Sequence, residues 1–154
     1  MEIRIFYSWQ SDLPSKTNKT FIEKSILSAV KSINSEQKAL SVLDRDTKNE
    51  IGSPNIVDTV LYKINHCKFF ICDISFINSN IPNPNVLIEL GYAIKTLGWQ
   101  KIICLFNTST GKIEDLPFDI NHNRVTPYNP SVKNEKERIA KIIKENIDSL
   151  FRNG

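Results

Sequence analysis

The sequence predicts an α/β fold, with a mostly parallel five-stranded sheet covered on both faces by helices. Three observations carry this expectation. Short runs rich in β-branched and aromatic residues alternate along the chain with longer segments of helical periodicity. The runs "KFFICDIS" (Lys68 to Ser75) and "KIICLFN" (Lys101 to Asn107) are apolar on both alternating faces, as central strands of a parallel sheet are. Most strands are followed by a segment long enough for the crossover helix that a parallel neighbour requires.

The elements follow in order. "IRIFYSW" (Ile3 to Trp9) reads as the first strand. "NKTFIEKSILSAVKSIN" brings Phe21, Ile22, Ile26, Ala29, Val30 and Ile33 round at helical spacing, with Thr17 or Asn18 as cap. "ALSVLD" is a short second strand. "SPNIVDTVLYKIN" predicts a second helix with Ser53 as cap, Pro54 at its first position, and Ile56, Val57, Val60, Leu61 and Ile64 on one face. After the third strand and a proline-asparagine loop, a third helix begins in "NPNVLIELGYA" and ends near Gly98. Lys101 to Asn107 is the fourth strand and "RVTPYN" a short fifth. "NEKERIAKIIKENIDSLF" closes the chain as an amphipathic helix with Ile139, Ile142, Ile143, Ile147, Leu150 and Phe151 in its buried stripe. The polar excursion from Thr108 to Asn123 fits no element; its "EDLPFD" either lines a site or covers a sheet edge.

This pattern predicts a flavodoxin-like three-layer sandwich forming a single domain over residues 1–154. Ligands in such sheets bind beyond the carboxyl ends of the strands, at the switch point beside strand one. The loops to inspect follow Tyr7, Leu43, Asp73 and Phe106.

Composition narrows the function classes. The chain is 40% hydrophobic and 24% charged, with a formal net charge of +3. Its scattered lysines and the alternating charges near its end argue against a dedicated nucleic-acid groove. Cys67, Cys72 and Cys104 fall in or beside apolar runs, form no CxxC pair and have only His66 and His122 as possible companions. Buried thiols in a reducing cytosol are expected, with no metal site. No apolar run approaches the about 18 residues that would span a membrane, and the chain opens directly into a strand, without a visible signal peptide. A cytoplasmic protein without membrane or nucleic-acid partners is the expectation.

Candidate site residues gather at the strand exits. The first turn lacks both GxGxxG and GxxxxGKS, which argues against a standard Rossmann dehydrogenase or P-loop enzyme. It carries Ser8, Trp9, Gln10, Ser11 and Asp12, where Trp9 either stacks on a ring or merely covers the sheet end. The loop from Asp44 to Gly52 holds Arg45, Asp46, Lys48 and Glu50 and is long for its kind; it is either a ligand loop, an association surface or a solvated connection. Asp73 and Ser75 stand at the end of strand three, where an aspartate either meets ligand hydroxyls or caps the next turn. Asn85 opens the third helix on the ligand edge.

Glu89 is the sharpest candidate. It lies among Val86, Leu87, Ile88, Leu90, Tyr92, Ala93 and Ile94, which leave little exposed edge for a carboxylate. The helix dipole lowers its pKa while apolar neighbours raise it. Gly91, two residues on, costs the helix about 1 kcal/mol relative to alanine and suggests a close approach by a backbone or ligand. No second catalytic acid, Ser-His-Asp set or cysteine nucleophile emerges. A lone carboxylate suits a good leaving group, with the site stabilising an oxocarbenium cation. Cleavage of an N-ribosyl bond to a cationic nicotinamide fits.

These residues resemble the bacterial branch of the TIR (Toll/interleukin-1 receptor) domain family over nearly the whole chain. "RIFYSWQSD" is similar to its first strand and loop. "LDRDTKNEIGSPNIVDTVLYKINHCKFFICDIS" is similar to the second strand, the BB loop, the second helix and the third strand. "NPNVLIELGYA" is similar to the catalytic helix, and carries the family glutamate onto Glu89. The resemblance implies NAD⁺ glycohydrolase or cyclase activity in antiviral defence or cell-death signalling, with NAD⁺ as substrate and no cofactor. It implies that Ser8 and Trp9 line the pocket, and that Asp44 to Gly52 gate it or contact another subunit. It also implies self-assembly through TIR–TIR contacts and activation by a protein or nucleotide signal. Asn85 and Val86 stand where many of these helices carry Trp-Cys, which leaves the product open. Non-catalytic TIR modules provide an alternative. "IELGYA" is also similar to the helix of nucleoside 2-deoxyribosyltransferases, whose glutamate attacks a deoxyribose; that family's D-x-G-T element is replaced here by "NPNVLI".

Overall fold

The computed structural model describes residues 2–37, 40–44, 55–121 and 123–152. Five strands form the main sheet: β1 (Glu2–Ser8), β2 (Leu40–Asp44), β3 (Phe69–Asp73), β6 (Ile102–Asn107) and β7 (Val125–Tyr128). Their spatial order is β2-β1-β3-β6-β7, and every neighbouring pair is parallel. This is the flavodoxin-like arrangement that the alternating pattern predicts.

Strand periodicity divides the core in two. Ile3, Ile5 and Tyr7, with Phe69, Ile71, Ile103 and Leu105, face α1 (Lys19–Gln37) and α5 (Glu135–Arg152). Phe6, Phe70, Cys72, Cys104 and Phe106 face the other way, toward α2 (Ile56–His66) and α3 (Pro84–Leu97). The periodic residues of α1 and the isoleucines 139, 143 and 147 of α5 are buried as expected, while Ile142 and Leu150 are partly buried. The side chain of Phe151 lies outside the described residues. All three cysteines are buried thiols. Among the described residues, no helix is long and apolar enough to cross a membrane.

Several expectations need correction. Asn55 caps α2, its side chain accepting the Val57 and Asp58 N–H groups at 3.1 and 3.4 Å. Ser53, Pro54 and the charged loop from Arg45 to Gly52 lie outside the described residues. The face expected for α2 is buried only at Ile64; Ile56 and Val57 remain 64% and 62% exposed. A period marks one side of a helix, but burial also needs a neighbour along its whole length.

Asn18 stands at the start of α1, yet its amide turns inward to Asp73 instead of capping the helix. Between β3 and α3 lies a small antiparallel hairpin, β4 (Phe76–Asn78) and β5 (Ile81–Pro82). Strands of two and three residues are too short to show a period, and Asn80 takes the left-handed φ of 61° in the turn. The stretch after β6 forms 3₁₀ turns at Thr108–Thr110 and Ile113–Asp115 and a short helix, α4 (Phe118–Asn121). Its Leu116 and Ile120 are buried in the core that contains Phe76 and Phe106, so "EDLPFD" contributes cover.

Gly91 is exposed, and a methyl group placed on it meets nothing within 4 Å. Among the described residues, no backbone outside its own helix approaches it. Gly111 is the opposite case: an added Cβ would lie 2.6 Å from Phe76 Cδ2. Gly91→Ala is therefore expected to stabilise the fold by about 0.5–1 kcal/mol. Gly111→Ala should destabilise it by about 1–3 kcal/mol through overpacking. Urea unfolding midpoints of the two variants check both signs.

Candidate active site

Alternation along β1 points Phe6 and Ser8 toward the α2/α3 side of the sheet. Helix α3 starts beside the β1 exit because Asn83 caps it, accepting the N–H groups of Asn85 and Val86 at 2.8 and 3.2 Å, with Pro84 at the first position. Val86, Leu90 and Ala93 form its buried face. Ile88 and Gly91 take the solvent edge, so an apolar residue and a glycine occupy the place where a surface glutamate would sit. Glu89 instead points inward, part-buried, and the Ser8 hydroxyl donates to its Oε2 at 2.5 Å.

Two influences act on Glu89. Burial raises its pKa, and the Ser8 hydrogen bond lowers it; burial wins and the net shift is upward. The expected lowering by the helix dipole does not operate, because that effect fades beyond the first turn and Glu89 sits in the second. The carboxyl group thus stays protonated to higher pH than an ordinary glutamate.

Glu89 forms one wall of a cavity of about 260 Å³ at the carboxyl end of β1. Ser8, Trp9, Gln10, Ser11, Asn83 and Asn85 line it with Phe6, Tyr7, Ile56 and Val60. The Trp9 ring is held by the Lys19 ammonium, 3.5 Å from its centroid. Asn83 Nδ2 donates to Asp12 Oδ2 at 2.7 Å, tying the β1 exit loop to the start of α3.

The structure therefore gathers four expected residues, Glu89, Ser8, Trp9 and Asn85, around one cavity. Asp73 and Ser75 are placed elsewhere: both are fully buried and engaged with protein partners, and neither lines the cavity. Asp44 ends β2 opposite Phe6 of β1, and its side chain lies outside the described residues. Sequence reasoning missed Gln10 and Asn83 as individual lining residues. Asn83 had a readable signal, since an Asn-Pro pair before an apolar period marks a capped helix start. Gln10 had none beyond its place in the exit loop.

No family model matches the chain, and no curated protein matches it. Solved structures do. The flavodoxin-like domain of a Synechococcus sp. protein is similar with a TM-score of 0.55 and 10% identity, covering 97% of this chain and 99% of that one. A CMP N-glycosidase from Clostridium botulinum is similar with a TM-score of 0.51 and 20% identity, over 91% of this chain and 98% of that one. A 2-deoxyribosyltransferase from Leishmania mexicana matches with a TM-score of 0.44 and 15% identity, over 68% of this chain; the match spans 65% of that enzyme's length. At these identities the likeness to the first two shows the flavodoxin-like fold.

Ser8→Ala removes the one influence that lowers the Glu89 pKa, so the carboxyl should titrate at a still higher pH. Carbon-13 NMR of the glutamate carboxyl groups reads this directly. Stability carries the same sign. A carboxyl whose pKa is raised on folding favours the native state below its unfolded value, and that advantage is lost as pH rises through the folded value. Wild type should thus lose stability as pH climbs from near the ordinary value of 4.5 through the raised one. Glu89→Gln should lack this loss in unfolding measured across that window.

Proposed function

We propose that this chain is an enzyme that breaks the N-glycosidic bond of a nucleoside or nucleotide, with Glu89 as its catalytic carboxylate. The observation that carries the reading is the part-buried Glu89, fixed by Ser8 in a cavity at the carboxyl end of β1. A carboxylate held there by one oxygen leaves Oε1 for the anomeric carbon. As the C1′–N bond breaks, the electron pair leaves with the base and positive charge spreads over C1′ and O4′. An anion already fixed at that face stabilises the cation without reorganising. Water then adds to C1′, directly or after a glycosyl ester on Glu89 has formed; its hydroxyl stays on C1′ and its proton goes to the departed base, giving free sugar and free base. A second base in place of water would make the outcome transfer. Asn85 supplies an amide at the same wall for sugar hydroxyls.

Two further points support this reading. The CMP N-glycosidase carries its chemistry on this fold over nearly the same extent of chain. The cavity of about 260 Å³, with Phe6, Tyr7, Ile56 and Val60 beside its polar groups, also has room for a sugar and apolar cover for its base. A nucleoside or nucleoside monophosphate therefore ranks first.

NAD⁺ is the second reading, as the TIR resemblance implies. The feature that favours it is a lining with Glu89 as its single carboxylate among the described residues, because nicotinamide leaves without needing a proton. Under that reading only the nicotinamide–ribose half enters the cavity.

The test is chromatography of CMP, cytidine, 2′-deoxynucleosides with an acceptor base, and NAD⁺, each incubated with wild type and Glu89→Gln. Release of base from CMP or cytidine, or base exchange on a deoxynucleoside, that falls at least about 100-fold in Glu89→Gln supports the first reading. Loss of NAD⁺ alone moves the assignment to the second. Turnover that survives in Glu89→Gln removes Glu89 from the reaction. No turnover of any substrate over a wide protein concentration range overturns the enzymatic assignment.

A further inference from the structure

Behind the cavity lies a set of buried polar side chains that the proposed chemistry does not use. Asp73 and Ser75 are fully buried, Asn18 is 1% exposed, and Gln10 and Asn107 are each 2% exposed. Asp73 Oδ2 accepts from Gln10 Nε2 at 2.8 Å and from Asn18 Nδ2 at 3.0 Å, while its Oδ1 accepts the Ser75 N–H at 3.0 Å. Asn107 completes the set, donating from Nδ2 to Asn18 Oδ1 at 3.0 Å and from its backbone N–H to Ser75 Oγ at 2.8 Å. The set joins the carboxyl ends of β3 and β6 to the loop that leaves β1. A buried polar network is weak evidence of stability, since apolar side chains of similar volume often serve packing as well. Its place two residues from Ser8 suggests what it is for.

We propose that Asp73 and Gln10 are positioning residues of the Glu89 site: Asp73 fixes the Gln10 amide, Gln10 fixes the loop after β1, and that loop, together with the pairing of Ser8 with Cys72 in the sheet, holds Ser8 against Glu89. The inference rests on the proposed role of Glu89. The Gln10 amide has only one satisfactory orientation, because its Nε2 must face a carboxylate while its Oε1 accepts the Leu13 N–H at 2.9 Å. The loop is thereby pinned on both sides of Ser11. Gln10 also lines the cavity, so displacing its side chain alters the wall itself. Misplacement of catalytic groups by about 1 Å costs about 100-fold in rate, which makes this anchorage functionally visible.

The test compares Gln10→Glu, Asp73→Asn and the double variant. Gln10→Glu sets two carboxylates against each other, and Asp73→Asn sets amide donors against amide donors. In the double variant the amide introduced at position 73 donates to the carboxylate introduced at position 10, and the Leu13 N–H keeps an acceptor. Rescue is expected to be partial, since Asn18 Nδ2 still meets the introduced amide.

Each single change should lower kcat/KM about 10- to 100-fold, chiefly through kcat, and the double should recover about tenfold over the worse single. A substrate-free readout accompanies this: the Glu89 carboxyl titration, by carbon-13 NMR, should move upward in each single variant as the Ser8 bond is lost, and return part-way in the double. Among the described residues, the groups that interact with the Glu89 carboxyl are the Ser8 hydroxyl of β1 and, electrostatically, the Cys72 thiol of β3, which burial keeps neutral. The NMR arm decides the positioning role even where no substrate turns over, so its failure is separate from failure of the proposed reaction. Gln10→Met, which only deletes the two hydrogen bonds, replaces any single variant that does not fold. The proposal is overturned if folded single variants keep the wild-type titration and rate, or if the double shows no recovery.

Discussion

The site depends on a topological constraint before it depends on any residue. In the order β2-β1-β3-β6-β7, the chain leaves β1 toward one edge to build β2, and later returns on the other side of β1 to build β3. Connections that run to opposite sides part at the carboxyl end of the sheet, leaving a crevice that no side chain of the sheet fills. Ser8 ends the strand at that point, and α3 brings Glu89 down on it from the next crossover but one. The one hydrogen bond between them joins residues 81 positions apart in sequence. It is the contact through which the parallel sheet becomes a candidate active site.

Holding a carboxyl group there has a thermodynamic cost, and the surroundings show how it is met. Burial opposes ionisation of Glu89, while a single hydroxyl donor offsets part of that opposition. A second donor would favour the anion further. The neighbouring Asp73 has three neutral donors around it and does not itself line the cavity. Two carboxylates at the same end of the sheet therefore serve different ends: one reaches the cavity and one holds the loop beside it.

Much of this was legible in the residues. The runs at β3 and β6 are apolar on both faces because both faces are covered, and the runs at α1 and α5 keep a helical stripe because one side meets the sheet. Glu89 stood out because it is a charge inside an apolar period, and that anomaly has the same cause in the structure: its helix edge faces the cavity. Other features were hidden. Ile56 and Val57 carry the helical period of a buried face but are exposed, since periodicity reports which side of a helix is apolar and not how far its neighbour extends. Gly91 suggested a close approach by a backbone or a ligand, and among the described residues no backbone outside its helix makes one. Asn18, Gln10 and Asn107 are polar residues in connecting segments, where sequence alone cannot distinguish a solvated amide from a buried one.

What the sequence by itself determined is the set of local choices in the longer segments: which of them are strands of the main sheet, which are helices, which sides are apolar, and that Glu89 is out of place on its helix. Each of these is fixed by interactions within a few residues, so a period or a cap residue reports them. What only the tertiary structure decided is which polar groups meet. Ser8 with Glu89, Gln10 with Asp73 and Asn18 with Asn107 are pairs separated by dozens of residues, and their hydrogen bonds exist because sheet order and crossover geometry bring distant strand ends together. A short-range pattern carries no record of such meetings, because the energy that specifies them belongs to the assembled sheet and not to either segment.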